Sequence, residues 1–92
     1  MGYKNDKGEN EYLFGWLTAN PNSNEFHPTT GGNSVWAKTK REAISKVNRE
    51  RKQWEKDNPQ SWKLRVNPDN CRMAKTFKDS MEFDKGLYNL TV

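Results

Sequence analysis

The sequence predicts an α+β fold: a small antiparallel or mixed β-sheet of four to five strands, with one main α-helix over about residues 40–57 packed on one face. Three observations carry this. Tyr12–Ala19 (YLFGWLTA) alternates side chains as a strand does, with apolar groups on both faces. Residues 39–57 combine a helix cap, an apolar stripe and a stop signal. The other apolar segments are short, alternate with period two and are joined by brief connections, which suits a sheet backed by a helix.

The chain reads as a single compact domain over 1–92, in which residues 1–11 (MGYKNDKGENE) offer little to bury and form a leader that frays. Tyr12, Phe14 and Trp16 point one way and Leu13, Leu17 and Ala19 the other, so this strand belongs in the middle of the sheet. Gly15 inside it marks a bulge or a close approach. Asn20–Asn33 (NPNSNEFHPTTGGN) reads as a long connection on account of its prolines, asparagines and paired glycines. Ser34–Lys38 then forms a short strand leading into the helix.

Thr39 is the helix N-cap, with Glu42 three residues on completing a capping box. Ala43, Ile44, Val47 and Trp54 share one third of the circumference, and the Arg51 stem fills the turn between them. The stripe is thin, and Trp54 is expected to anchor its far end. Asn58-Pro59 stops the helix. Trp62, Leu64 and Val66 alternate with Lys63 and Arg65 as a half-buried strand with a basic outer face. Residues 67–83 satisfy two patterns: a turn at Asn67-Pro68-Asp69-Asn70 followed by a strand, or a second short helix with Met73, Phe77 and Met81 four residues apart. Asp84-Lys85-Gly86 reads as a turn, and Leu87–Val92 as a closing strand.

The apolar fraction is only 32%, so the four Trp, four Phe and three Tyr must supply much of the core. Residues 1–11 lack the apolar centre of a secretory signal, and no run approaches the ~20 apolar residues of a membrane span. A cytoplasmic location is expected, the host cytoplasm if the chain is phage-encoded. One Cys and one His cannot build a zinc site with the usual ligand spacings, and Gly31-Gly32 opens no phosphate loop. The residues imply no metal and no cofactor. Cys71 and His27 could form a nucleophile pair only if the fold brought them together. A lone cysteine is more often a buried hydrophobe. Asp79, Glu82 and Asp84 read as a solvated acidic turn. The chain is therefore read as non-enzymatic, with no catalytic residues.

What remains is charge. The net charge is +4, and residues 40–56 carry all of it, with seven Lys/Arg against three Glu, while the other residues hold nine of each sign. Arg41, Ser45, Arg49, Lys52 and Lys56 recur every three or four residues and stack into one ridge opposite the apolar stripe, with Lys46 at its shoulder. Lys63 and Arg65 would extend the patch if their strand lay alongside. Phe26 and His27 in the long loop, together with Trp36, are the further contact candidates. Glu42–Lys46 and Arg51–Glu55 have the spacing of ordinary helix ion pairs, and a solvated charged face is the plain alternative to a binding surface.

The junction Ala37-Lys38-Thr39-Lys40-Arg41-Glu42-Ala43 resembles the strand-to-helix step of the arm-type DNA-binding domains of phage integrases, over about a dozen residues. That resemblance implies a three-stranded sheet, backed by one helix, that reads DNA. The loop at 20–33 and the 35 residues after the helix depart from that pattern.

Size, charge and the lack of catalytic groups suit a small binding protein of the accessory kind encoded by phages and mobile elements. Such a protein would engage an acidic host protein surface or a nucleoprotein complex, for example as an inhibitor in evasion of host defence. The alternative is direct DNA or RNA binding, with phosphates on the ridge and aromatics stacking on bases.

Overall fold

The structure, a computed structural model, describes residues 3–90, with side chains described through residue 85. Its elements are β1 (Asn10–Ala19), β2 (His27–Ala37), α1 (Lys40–Asp57), β3 (Lys63–Met73) and α2 (Phe77–Leu90). The fold is α+β: a three-stranded antiparallel sheet in the order β2-β1-β3, a main helix packed on it and a second short helix. β1 is central, as its doubly apolar faces require.

Even-numbered positions of β1 face α1. Tyr12 and Phe14 form the core with Ala37 of β2, Val66 and Cys71 of β3, and Ala43 and Val47 of α1; Trp16, Val35 and Ile44 pack around them. Phe14 is almost wholly buried and meets the Trp16 ring edge-on at 4.9 Å. Leu13 points to the other face, equally buried, on the side where α2 packs over β1 and β2. Tyr3 joins this second layer, its ring 5.2 Å from Trp36 and 6.2 Å from Phe77. The residues read as a leader therefore carry structure: Lys4 bridges to Asn10, and the Asn5 carbonyl and side chain hold a turn through Gly8 and Glu9.

Both neighbours of β1 bulge at its midpoint. From Gly15 to Leu17 the β2 partners run from Gly32 to Pro28, and from Phe14 to Trp16 the β3 partners run from Cys71 to Val66. These bulges take up the sequence features that looked like loops. Pro28, Gly31 and Gly32 lie within an eleven-residue β2, so the connection expected over 20–33 shrinks to residues 20–26. Asn67-Pro68-Asp69-Asn70 is a bulge in β3, not the end of a strand. The Asn70 side chain lies over Gly15, where a Cβ would meet it, so Gly15 marks both a bulge and a close approach.

Residues 67–83 contain both alternatives in turn. β3 runs to Met73, and the Ala74 N–H still donates to the Glu11 carbonyl at 2.8 Å. α2 then starts where Thr76 Oγ1 accepts from the Asp79 N–H and the Asp79 carboxylate accepts from the Lys75 N–H. This cap launches a helix that runs through the expected Asp84-Lys85-Gly86 turn. Residues 87–90 are helical rather than a strand, and 91–92 lie outside the described residues. The sheet accordingly has three strands, not four or five.

Its edges explain why no fourth strand joins. Glu11 directs its backbone groups to β3, so its β2 partner Trp36 directs its own outward. There the Trp36 carbonyl accepts from Lys46 Nζ at 3.0 Å, and the Ser34 N–H donates to Asn33 Oδ1 at 2.8 Å. On the opposite edge the Leu64 N–H donates to Glu55 and the Val66 N–H to Asn48 Oδ1. One helix thus supplies side chains to both rims of the sheet, occupying groups that a further strand would need.

α1 spans Lys40–Asp57 as expected. The Glu42 N–H donates to Thr39 Oγ1 at 3.1 Å, and Asn58 closes the last turn through the Trp54 carbonyl. Thr39→Ala is expected to lower stability by about 1 kcal/mol, read as a reduced urea midpoint with an unchanged slope. Its apolar stripe differs from expectation at one end. Ala43 and Val47 are buried, but Trp54 is exposed, with the Arg51 guanidinium 4.3 Å from its ring centroid. Polar contacts from Glu55 and Asn48 hold this end of the helix instead.

Candidate interaction surface

The ridge forms as the spacing indicates. Arg41, Ser45, Arg49, Lys52 and Lys56 are all exposed along the outer face of α1, over about 22 Å at 1.5 Å per residue. Among the described residues none of the four cations has an ion-pair partner within 4 Å. The compensating helix pairs do not form: Lys46 turns to the Trp36 carbonyl, and Glu55 turns to β3.

The structure separates the other basic candidates from this ridge. Arg65 Nη1 lies 2.8 Å from Glu55, also donates to its own neighbour's carbonyl at Leu64, and sits 5.3 Å from the Phe26 ring centroid. Both side chains of the pair are largely shielded, at 17% and 12% exposure. Burial pushes the Glu55 carboxyl up. The hydrogen bonds from Arg65 and the Leu64 N–H, with the Arg65 and Arg51 charges, outweigh it and hold the group below the ordinary glutamate range. Lys63 Nζ donates to the Ser23 carbonyl (2.8 Å) and Asn24 Oδ1 (3.0 Å). Lys46, Lys63 and Arg65 are thus fold-holding cations, whereas Arg41, Arg49, Lys52 and Lys56 stay exposed and without an ion pair among the described residues.

The aromatic candidates also divide. Phe26 is half-buried against Arg65, and Trp36 is half-buried against Tyr3 on the sheet face away from α1. Neither joins the ridge. His27 is exposed at the start of β2, opposite Thr18. Together with Ala19, Ser23, Glu25 and Trp62 it borders an open pocket of about 290 Å³. Trp62, expected to point inward on its strand, precedes β3 and is 57% exposed. No local sequence pattern marks the Asn48 and Glu55 edge contacts or this pocket, since each depends on residues that meet only through the tertiary fold.

Cys71 is buried on β3 beside Phe14, whereas His27 lies on β2 opposite Thr18; their β1 partners are four residues apart, about 13 Å at ~3.3 Å per residue, and the two residues flank β1 on opposite sides. Burial pushes the Cys71 thiol up, with Lys40 acting weakly in the other direction, so a reactive thiolate is disfavoured. Asp79, Glu82 and Asp84, expected in a turn, lie on α2; Asp79 caps it by accepting from the Lys75 N–H, with Arg72 Nη1 3.6 Å away. No group of three or more His, Cys, Asp or Glu capable of holding a metal occurs among the described residues, and no described helix is long and apolar enough to cross a membrane.

No protein-family model matches the chain, and no curated protein or solved structure shows significant similarity to it. The strand-to-helix step at residues 37–43 is present, from the end of β2 to the start of α1. The sheet is three-stranded and helix-backed, but the chain order β-β-α-β-α places β3 after the helix, and α2 covers part of the second sheet face. A sheet face free to enter a DNA groove is not available over Leu13.

Proposed function

We propose that the chain is a small non-catalytic binding protein that engages an acidic macromolecular surface, a host protein or nucleoprotein complex, through the α1 ridge. The observation that supports this is the division of labour among its cations. Lys46, Lys63 and Arg65 are spent on internal acceptors, while Arg41, Arg49, Lys52 and Lys56 line up on one exposed face without compensating carboxylates within reach. Neighbouring like charges repel, and an anionic partner relieves that repulsion. An accessory protein encoded by a phage or other mobile element, acting in the host cytoplasm, fits this size and chemistry.

The second reading is direct binding of DNA or RNA phosphates by the same ridge. Arg41 and Arg49 favour it, because a guanidinium offers phosphate a planar donor fork. The aromatic part of that reading loses Phe26 and Trp36, which are engaged within the fold, and keeps the exposed Trp54 and Trp62.

One variant tests both. Arg41→Glu/Arg49→Glu/Lys52→Glu alters only exposed positions and should keep the circular dichroism and melting profile of the parent. Capture of the natural partner should fall by at least ~100-fold, as expected when several steering charges are reversed. Undiminished capture overturns the proposal. A gel shift on mixed DNA and RNA at about 50 mM salt separates the readings, since phosphate binding must weaken steeply as salt rises. A salt-sensitive complex lost in the triple variant would assign the ridge to nucleic acid.

A further inference from the structure

We propose that the pocket beside the β1–β2 loop receives one cationic side chain, an arginine or a lysine, from a protein partner; this rests on the reading of the chain as a protein-binding module. The pocket is built rather than incidental. Its loop wall is fixed by the Ser23 N–H to the Asn20 carbonyl (2.9 Å), the Asn22 N–H to Asn20 Oδ1 (3.0 Å) and the Glu25 N–H to Ser23 Oγ (3.0 Å). Lys63 pins that wall from behind through the Ser23 carbonyl and Asn24 Oδ1, and Thr18 Oγ1 ties the sheet side to the Lys63 carbonyl at 3.0 Å. A recess held this way costs little ordering on binding.

Its chemistry selects the occupant. Trp62 contributes a largely exposed indole, above a floor at Ala19 that is itself almost wholly buried. Glu25 is the one acidic residue at its border, which it shares with His27; it is exposed and without an ion-pair partner among the described residues. Lys63 cannot turn inward without surrendering both loop contacts. An aromatic face with a free carboxylate beside it attracts a cation carried on an apolar stem, through cation–π and ion-pair contacts together. The recess is open to solvent and has a volume of about 290 Å³, room for one such side chain. The molecule thus presents two signs: a basic ridge on α1 and an acidic, aromatic recess at the loop. A protein surface can answer both. A nucleic acid, which has no protruding cation, can answer only the first.

The test is an NMR titration of the ¹⁵N-labelled protein with N-acetyl-arginine amide, following the Trp62 indole N–H, which is identified by its absence in Trp62→Phe. A saturable shift is expected, with little response to the uncharged citrulline analogue. Glu25→Gln, an exposed and fold-neutral change, should weaken binding about tenfold. Absence of a saturable shift, an equal response to citrulline, or full affinity in Glu25→Gln would overturn the proposal. The probe does not touch the ridge, so Arg49→Glu should titrate as the parent does, and failure of the pocket is thereby distinguished from failure of the ridge.

Discussion

Replacing Gly32 by alanine is expected to cost at least ~3 kcal/mol, the cost of overlap that no rotamer change can relieve. Gly32 sits opposite Gly15 where β2 begins its bulge, and an added Cβ would land on the Phe14 carbonyl oxygen. That oxygen belongs to the central strand, and Phe14 is the largest fully buried side chain of the core. Relief requires β1 and β2 to separate at the point where the core is tightest. Gly15→Ala is the instructive contrast. Its Cβ would meet only the Asn70 side chain, which can swing toward solvent, so a loss near 1 kcal/mol is expected. Urea denaturation of the two variants checks the order; equal losses would mean that the strands do not approach as closely as described.

The second large effect is at Glu55. Alanine there orphans the Leu64 N–H on the sheet edge and strands the shielded Arg65 guanidinium. The two penalties together are expected to remove about 3 kcal/mol, and on the order of 15 °C in Tm for a domain of this size. Glu55→Gln keeps an acceptor for Leu64 and should lose roughly half as much. A pH dependence follows with definite sign. Because the folded state holds the Glu55 carboxyl below its ordinary range, its contribution is fully present above that range. It is lost as pH falls through the depressed folded value. Parent and Glu55→Gln stabilities should therefore converge on acidification, measured by denaturant titration across that interval. Curves that stay parallel would show that the Glu55–Arg65 pair contributes nothing to folding.

The parts of this fold that were legible in sequence are those dictated locally. Thr39, Glu42 and Asn58-Pro59 bound α1 to within a residue, because caps and proline act on neighbouring backbone. Alternation over 12–19 placed β1, since a two-faced apolar strand needs cover on both sides. The misreadings share a physical cause, which is that bulges permit turn-forming residues inside strands. Pro28, Gly31-Gly32 and Asn67-Pro68 carry strong turn chemistry, yet a bulge lets the ladder continue past them. The closing segment reads as a strand by composition, but a strand needs a free rim, and Lys46, Asn33, Asn48 and Glu55 occupy both. A signal for α2 was present in Thr76 and Asp79, three residues apart, and its spacing matches the cap that forms. For the surface, helical spacing was enough to place Arg41, Arg49, Lys52 and Lys56 on one face. It could not show that Lys46, Lys63 and Arg65 were already committed, because their acceptors lie 10 to 40 residues away in the chain.

The clasp of α1 on both rims of the sheet has a consequence for how the molecule opens. Edge amides of a small sheet ordinarily exchange with solvent through local fraying, well below the energy of global unfolding. Here the Leu64 and Val66 amides are released only when Glu55 and Asn48 withdraw, and those side chains belong to the helix that seals the core. Fraying at that margin and dissolution of the core become one event. Deuterium should therefore enter these two rim amides about as slowly as it enters the middle of β1, leaving the protein few partly open states through which a protease could begin.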